Sequence, residues 1–184
     1  MFSPTGAVMS TPMVISSCNS LFGAWTSGYA ESATAPASAT GITANQAIYV
    51  PFVVTQPTTW TRGWWYNGSV GANQGNVAVG IYDEAGNRLA TTGAVAAAGD
   101  SVVQTAAFSA SVFLYPGVYY VAYSPSASGV NATFGYSASL PRGRFAGCYT
   151  QAVGSHPLPA TATFATWASF VMPMFGIART SFAI

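Results

Sequence analysis

Ionic side chains are scarce in this sequence. Its 184 residues hold five basic and four acidic side chains, 5% of the total, with a single histidine, against roughly 25% charged residues in an ordinary soluble domain. Lysine is absent, and the basic set is Arg62, Arg88, Arg142, Arg144 and Arg179. Five scattered arginines cannot track a phosphate backbone, so nucleic acid is not expected as a partner. A formal net charge of +1 gives little self-repulsion, and a free monomer with so little charge is prone to associate.

Long apolar runs are also missing. A spanning helix needs about 20 nearly unbroken apolar residues; the closest stretch, Phe164 to Ala178, is interrupted by Thr166, Ser169 and Pro173 and has the β-branched and aromatic content of strand. Met1 to Gly6 carries neither a basic nor an apolar export region, so the expectation is a chain made in the cytosol, with no membrane partner and no outer-membrane barrel. There are two cysteines, Cys18 and Cys148, without metal-ligand spacing. They read as two small buried apolar side chains, with a disulfide as the alternative.

Catalytic groups are thin as well. His156 lies in the proline-bounded loop Ser155-His156-Pro157-Leu158-Pro159, a poor frame for a general base. The acids are Glu31, Asp83, Glu84 and Asp100. Asp83 and Glu84 are neighbours in a turn signal, where Asp serves a local backbone hydrogen bond, and the segment lacks the ligand spacing of a calcium loop. No Gly-x-Ser-x-Gly elbow occurs. The expectation is a non-enzymatic protein with no cofactor and no metal.

What the chain does have is apolar and aromatic material: 51% hydrophobic and 14% aromatic residues, ample for one core. Residues 1–46 are rich in Ser, Thr, Ala, Gly and Pro and read as an extended N-terminal arm; residues 47–184 read as a β-sandwich domain with an apolar C-terminal segment. Turn signals recur between β-rich runs, with strands expected at Ala47 to Val54, Thr58 to Tyr66, Asn76 to Tyr82, Arg88 to Thr92, Ser101 to Ala107, Gly117 to Tyr123 and Phe164 to Met172, and another at Ala132 to Tyr136. In Asn76 to Tyr82 the inward residues are Val77, Val79 and Ile81, and Gly86 supplies the positive φ of the turn that follows.

In Thr58 to Tyr66, strict alternation puts Trp60, Arg62, Trp64 and Tyr66 on one face and Thr59, Thr61, Gly63 and Trp65 on the other. Both faces carry an aromatic, so one is expected in the core and the other under a second layer or subunit. Trp60, Trp64, Trp65 and Tyr66 are the candidate interface; stacking on a glycan is the alternative use of the same rings. Asn67-Gly68-Ser69 and Asn131-Ala132-Thr133 match the glycosylation pattern but read as turns in a chain without an export signal.

The order Tyr49-Val50-Pro51-Phe52, then Trp60 to Tyr66, Val79-Gly80-Ile81-Tyr82-Asp83 with Gly86-Asn87, and Leu114, Pro116-Gly117 and Tyr119-Tyr120-Val121-Ala122 resembles the jelly-roll-like domains of bacteriophage structural proteins. The resemblance covers residues 47–123 and implies an all-β, antiparallel, jelly-roll-like β-sandwich with extended N- and C-terminal arms, assembled with itself as a homotrimer and with other virion proteins. No glycine-repeat or coiled-coil shaft is present, which favours a capsid decoration protein. The alternative is a neck, tail-fibre or spike component that binds a host receptor or glycan through exposed aromatics.

Overall fold

The computed structural model describes residues 37–38, 43–67, 75–100, 102–127, 132–135, 148–152, 154–166, 171–173 and 175–179. Every regular element among them is a strand: β1 (Ala37–Ser38), β2 (Ala47–Val54), β3 (Thr58–Tyr66), β4 (Asn76–Tyr82), β5 (Arg88–Thr91), β6 (Val95–Ala96), β7 (Val103–Leu114), β8 (Gly117–Pro125), β9 (Ala132–Gly135), β10 (Tyr149–Gln151), β11 (Ala165–Thr166), β12 (Val171–Pro173) and β13 (Phe175–Ala178). All pairings are antiparallel. A seven-stranded sheet runs β11-β10-β2-β8-β4-β5 with β6 beside β4, and two three-stranded sheets run β13-β3-β7 and β1-β9-β12.

Period-2 alternation builds the core. On β2, Ile48, Val50, Phe52 and Val54 point one way, joined by Val77, Val79 and Ile81 of β4 and Val121 and Tyr123 of β8. Trp60 and Trp65 of β3, Phe108 and Leu114 of β7, and Phe175 and Ile177 of β13 meet them from the three-stranded sheet. The chain is therefore an antiparallel β-sandwich, its two sheets bridged by aromatic pairs. Phe52 and Trp60 stand edge to face at 6.0 Å, and Tyr123 lies 5.0 Å from Phe175.

The alternation expected along Thr58 to Tyr66 is broken. Trp60 pairs with Val112 but Arg62 pairs with Ala107, so residues 108–111 of β7 stand opposite Thr61 alone. Such a bulge shifts the facing by one residue. Trp60 consequently joins Trp65 on the core side, where Gly63 also sits. A Cβ on Gly63 would lie 2.6 Å from the Val79 Cβ, so glycine is what allows the sheets to close here.

The outer face of the large sheet is covered by the chain itself. Residues 154–164 cross it as a strap, burying Leu158 against Tyr49, Tyr82, Ala47, Ala78 and Ala122. Phe164 packs on Tyr49, Tyr120 and Tyr149 with centroids 4.7–5.2 Å apart. Polar ties fix the strap: Arg88 N–H donates to the Ala160 carbonyl (2.9 Å), Ala162 N–H to the Gly86 carbonyl (2.8 Å) and Ser155 N–H to the Asn45 carbonyl (2.8 Å). The Arg88 guanidinium and the Tyr82 hydroxyl donate to the Leu158 and Pro159 carbonyls.

Of the expected arm, residues 37–38 pair with β9, and Asn45 donates to the Pro125 carbonyl (2.7 Å); residues 1–36 and 39–42 lie outside the described residues. In the apolar C-terminal segment, Phe175–Ala178 is taken up as β13 against β3, with Phe175 and Ile177 in the core. Residues 180–184 and Cys18 lie outside the described residues.

Candidate functional site

Register gathers one group of turns at one end of the sandwich. Val54 pairs with Gly117 and Thr58 with Leu114, so the β2–β3 turn lies beside the β7–β8 turn. Arg179 follows directly on β13, which ends with Ala178 opposite Arg62. The Thr61 hydroxyl donates to the Arg179 carbonyl, and the guanidinium lies over the Trp60 indole, 5.6 Å from the ring centroid. Between the turn and Arg179 is a cleft of about 220 Å³ lined by Val54, Thr55, Gln56, Thr58, Trp60 and Arg179. It offers one cation, one amide and two hydroxyls beside an indole, and no acid lines it.

Next to the cleft, the tip of the β7–β8 hairpin displays Phe113 and Tyr115, 53% and 67% exposed, in edge-to-face contact at 5.2 Å. Tyr119 donates from its hydroxyl to the Tyr115 carbonyl at 3.1 Å, bracing the tip. Not one ionic side chain occurs between Asp100 and Arg142, so the whole hairpin is uncharged. β7 is an edge strand of its sheet. Near Gln104 its flank is tied by the Gln104 side chain to Ala96 and Ala98; farther on, Ala107, Ser109, Ala110, Ser111 and Phe113 are exposed.

No family model, curated protein or solved structure matches this chain. Its chemistry has to be read from the side chains.

The four aromatics singled out in the sequence do not form one exposed platform. Trp60 and Trp65 are 1% and 0% exposed and belong to the core, while Trp64, 4% exposed, is buried on the opposite face of β3; Tyr66 is half-buried. A ring inside the core cannot stack on a sugar, and among the described residues the exposed aromatics are Phe113 and Tyr115 instead. Neither stood out in the sequence: the strand expected there ended at Ala107, whereas β7 runs on to Leu114 and carries Phe113 and Tyr115 to the hairpin tip.

Asn67 is buried too. It accepts from the Trp65 indole N–H (2.9 Å) and donates to the Ala98 carbonyl (2.7 Å) and the Gln104 side-chain oxygen (2.9 Å), so in the folded chain it is a structural amide. Asn131 lies outside the described residues.

The titratable groups are dispersed. Asp83 accepts from the Asn87 backbone N–H (2.7 Å) and side-chain amide (3.0 Å), closing its turn with Gly86 at φ 84°. Asp100 is exposed. His156 lies on the strap, its Nδ1 2.9 Å from the Ser124 carbonyl and its buried Nε2 without a partner. Burial lowers its pKa, partly offset by that backbone bond. Cys148 is a free buried thiol that burial pushes up to about 12, which leaves it protonated and unreactive. The strap also buries Tyr49, whose hydroxyl is pushed up to about 12 by desolvation. Among the described residues no three His, Cys, Asp or Glu side chains group together to hold a metal.

Proposed function

We propose that this chain is a non-enzymatic structural subunit of a bacteriophage virion, a jelly-roll-like capsid decoration protein. It would stabilise the particle through contacts with copies of itself, as a trimer, and with other coat components. The observation that carries this reading is the uncharged β7–β8 hairpin with its exposed Phe113–Tyr115 pair. Edge strands that remain in water are commonly guarded by charge, above all by lysine. Interface cores are depleted of charge and enriched in aromatics, because desolvating ions is costly and flat rings bury much area with little loss of side-chain freedom. A contact of about 1,600 Å² repeated over many copies becomes strong through avidity.

The test is native mass by sedimentation, followed by electron microscopy of the assembled particle. The wild-type chain should sediment as an oligomer, and Phe113→Lys combined with Tyr115→Lys should give a folded monomer, since neither ring is in the core. A wild-type chain that stays monomeric at high concentration would sink the reading.

A further inference from the structure

We infer that the cleft between the β2–β3 turn and Arg179 binds the carboxylate of a sugar acid, a uronic or sialic acid unit of a glycan. Arginine is scarce in this chain. Among the described residues, Arg88 donates to the Leu158 carbonyl and Arg62 to the Thr105 hydroxyl (3.5 Å). Arg179 alone of the three has a guanidinium with no hydrogen-bond acceptor; its side chain lies over Trp60 and is exposed. One face on an indole leaves the in-plane N–H donors free, and these match the two oxygens of a carboxylate. The Thr61 tie to its carbonyl fixes the backbone from which it reaches, so less freedom is lost on binding.

The rest of the lining selects what carries the carboxylate. Gln56, Thr55 and Thr58 offer an amide and hydroxyls, the neutral groups that orient sugar hydroxyls. Thr58 already donates to the Gln56 carbonyl (2.8 Å), which stiffens the turn. At about 220 Å³ the cleft is smaller than the roughly 300–1,000 Å³ of pockets for drug-sized ligands, and it has room for one ring. Phe113 pairs with Thr59 across the ladder and Leu114 with Thr58, so the ring that lines the cleft itself is Trp60. One cation among neutral groups suits a monoanion better than a phosphate dianion. The site stands apart from the virion reading: its loss in a variant of unchanged oligomeric state would leave that reading intact.

The experiment titrates the full-length protein with methyl glucuronide, methyl sialoside and neutral methyl glucoside, following the Trp60 indole N–H and Arg179 Nε–H signals by NMR. Both sugar acids should bind with Kd on the order of 1 mM, about tenfold tighter than the glucoside. Arg179→Gln, at an exposed side chain, should fold normally and reduce them to the glucoside level. Arg179→Lys should retain part of the binding, and Gln56→Ala should weaken acid and neutral sugars alike. The inference is overturned if acid and glucoside bind equally, if no shift occurs by roughly 20 mM, or if Arg179→Gln binds as wild type. It is equally overturned if inorganic phosphate or a short peptide with a free C-terminal carboxylate binds at these signals while the sugar acids do not.

Discussion

Gly63 and Asn67 show how much of the sandwich rests on single side chains on and just past β3. Gly63 packs directly against the other sheet, and a methyl group there would meet the Val79 side chain at 2.6 and 2.7 Å and that of Thr92 at 3.0 Å. The Cβ of a β-branched residue cannot swing away, so Gly63→Ala should destabilise the fold by about 1–3 kcal/mol, read as a lowered denaturant midpoint. Asn67 satisfies the Trp65 indole, the Ala98 carbonyl and Gln104 together. Truncating it strands buried polar groups, and Asn67→Ala should cost about 2 kcal/mol or more. A denaturation curve for Asn67→Ala that overlays the wild type would show that water replaces the amide without penalty.

At the scale of the element, the strap of residues 154–164 carries a pH dependence. The Ser124 carbonyl can only accept, so His156 Nδ1 bears the proton and Nε2 is a buried lone pair without a partner. Protonating Nε2 would leave a charge and an N–H unsatisfied, which is why its pKa lies below the ordinary 6.5. The unfolded chain then binds more protons than the folded one in the window below 6.5, and stability falls as pH drops through it. Because His156 is the only histidine, the melting temperature lost between about pH 7 and pH 5 should shrink clearly in His156→Asn. Equal losses in both proteins would assign the effect to the carboxylates.

For the whole molecule, charge scarcity and the strap belong together. A sheet with two apolar faces needs cover on both, and here the small sheet covers one while the strap covers the other. Among the described residues the exposed aromatic rings are Phe113 and Tyr115 at the β7–β8 tip, and that is where the proposed association is expected. If the proposed contact forms through this tip, raising salt should not dissociate it, since exposed ion pairs would weaken with screening whereas apolar contacts would not. Sedimentation at low and high ionic strength separates the two.

Local patterning made the first long strands legible. β2, β3 and β4 fall where alternation and turn residues put them, and the Asp83–Asn87 turn closes as its Gly86 demands, because these preferences are settled within a few residues. The all-β class followed from the same signals. The facing of Trp60 did not, because the bulge opposite Thr61 depends on the partner strand β7. The strap, the buried role of Asn67 and the placing of Arg179 over Trp60 were equally hidden: each joins residues far apart in sequence, and only tertiary packing brings them together. The sequence by itself determined the all-β class, the strands β2, β3 and β4 and the shortage of charge. It did not determine the length of β7 or the break between β11 and β12, where one strand over Phe164 to Met172 was expected. Which of the described aromatics are core, which meet solvent, and where Arg179 comes to lie were decided by register and by the closing of one sheet on another.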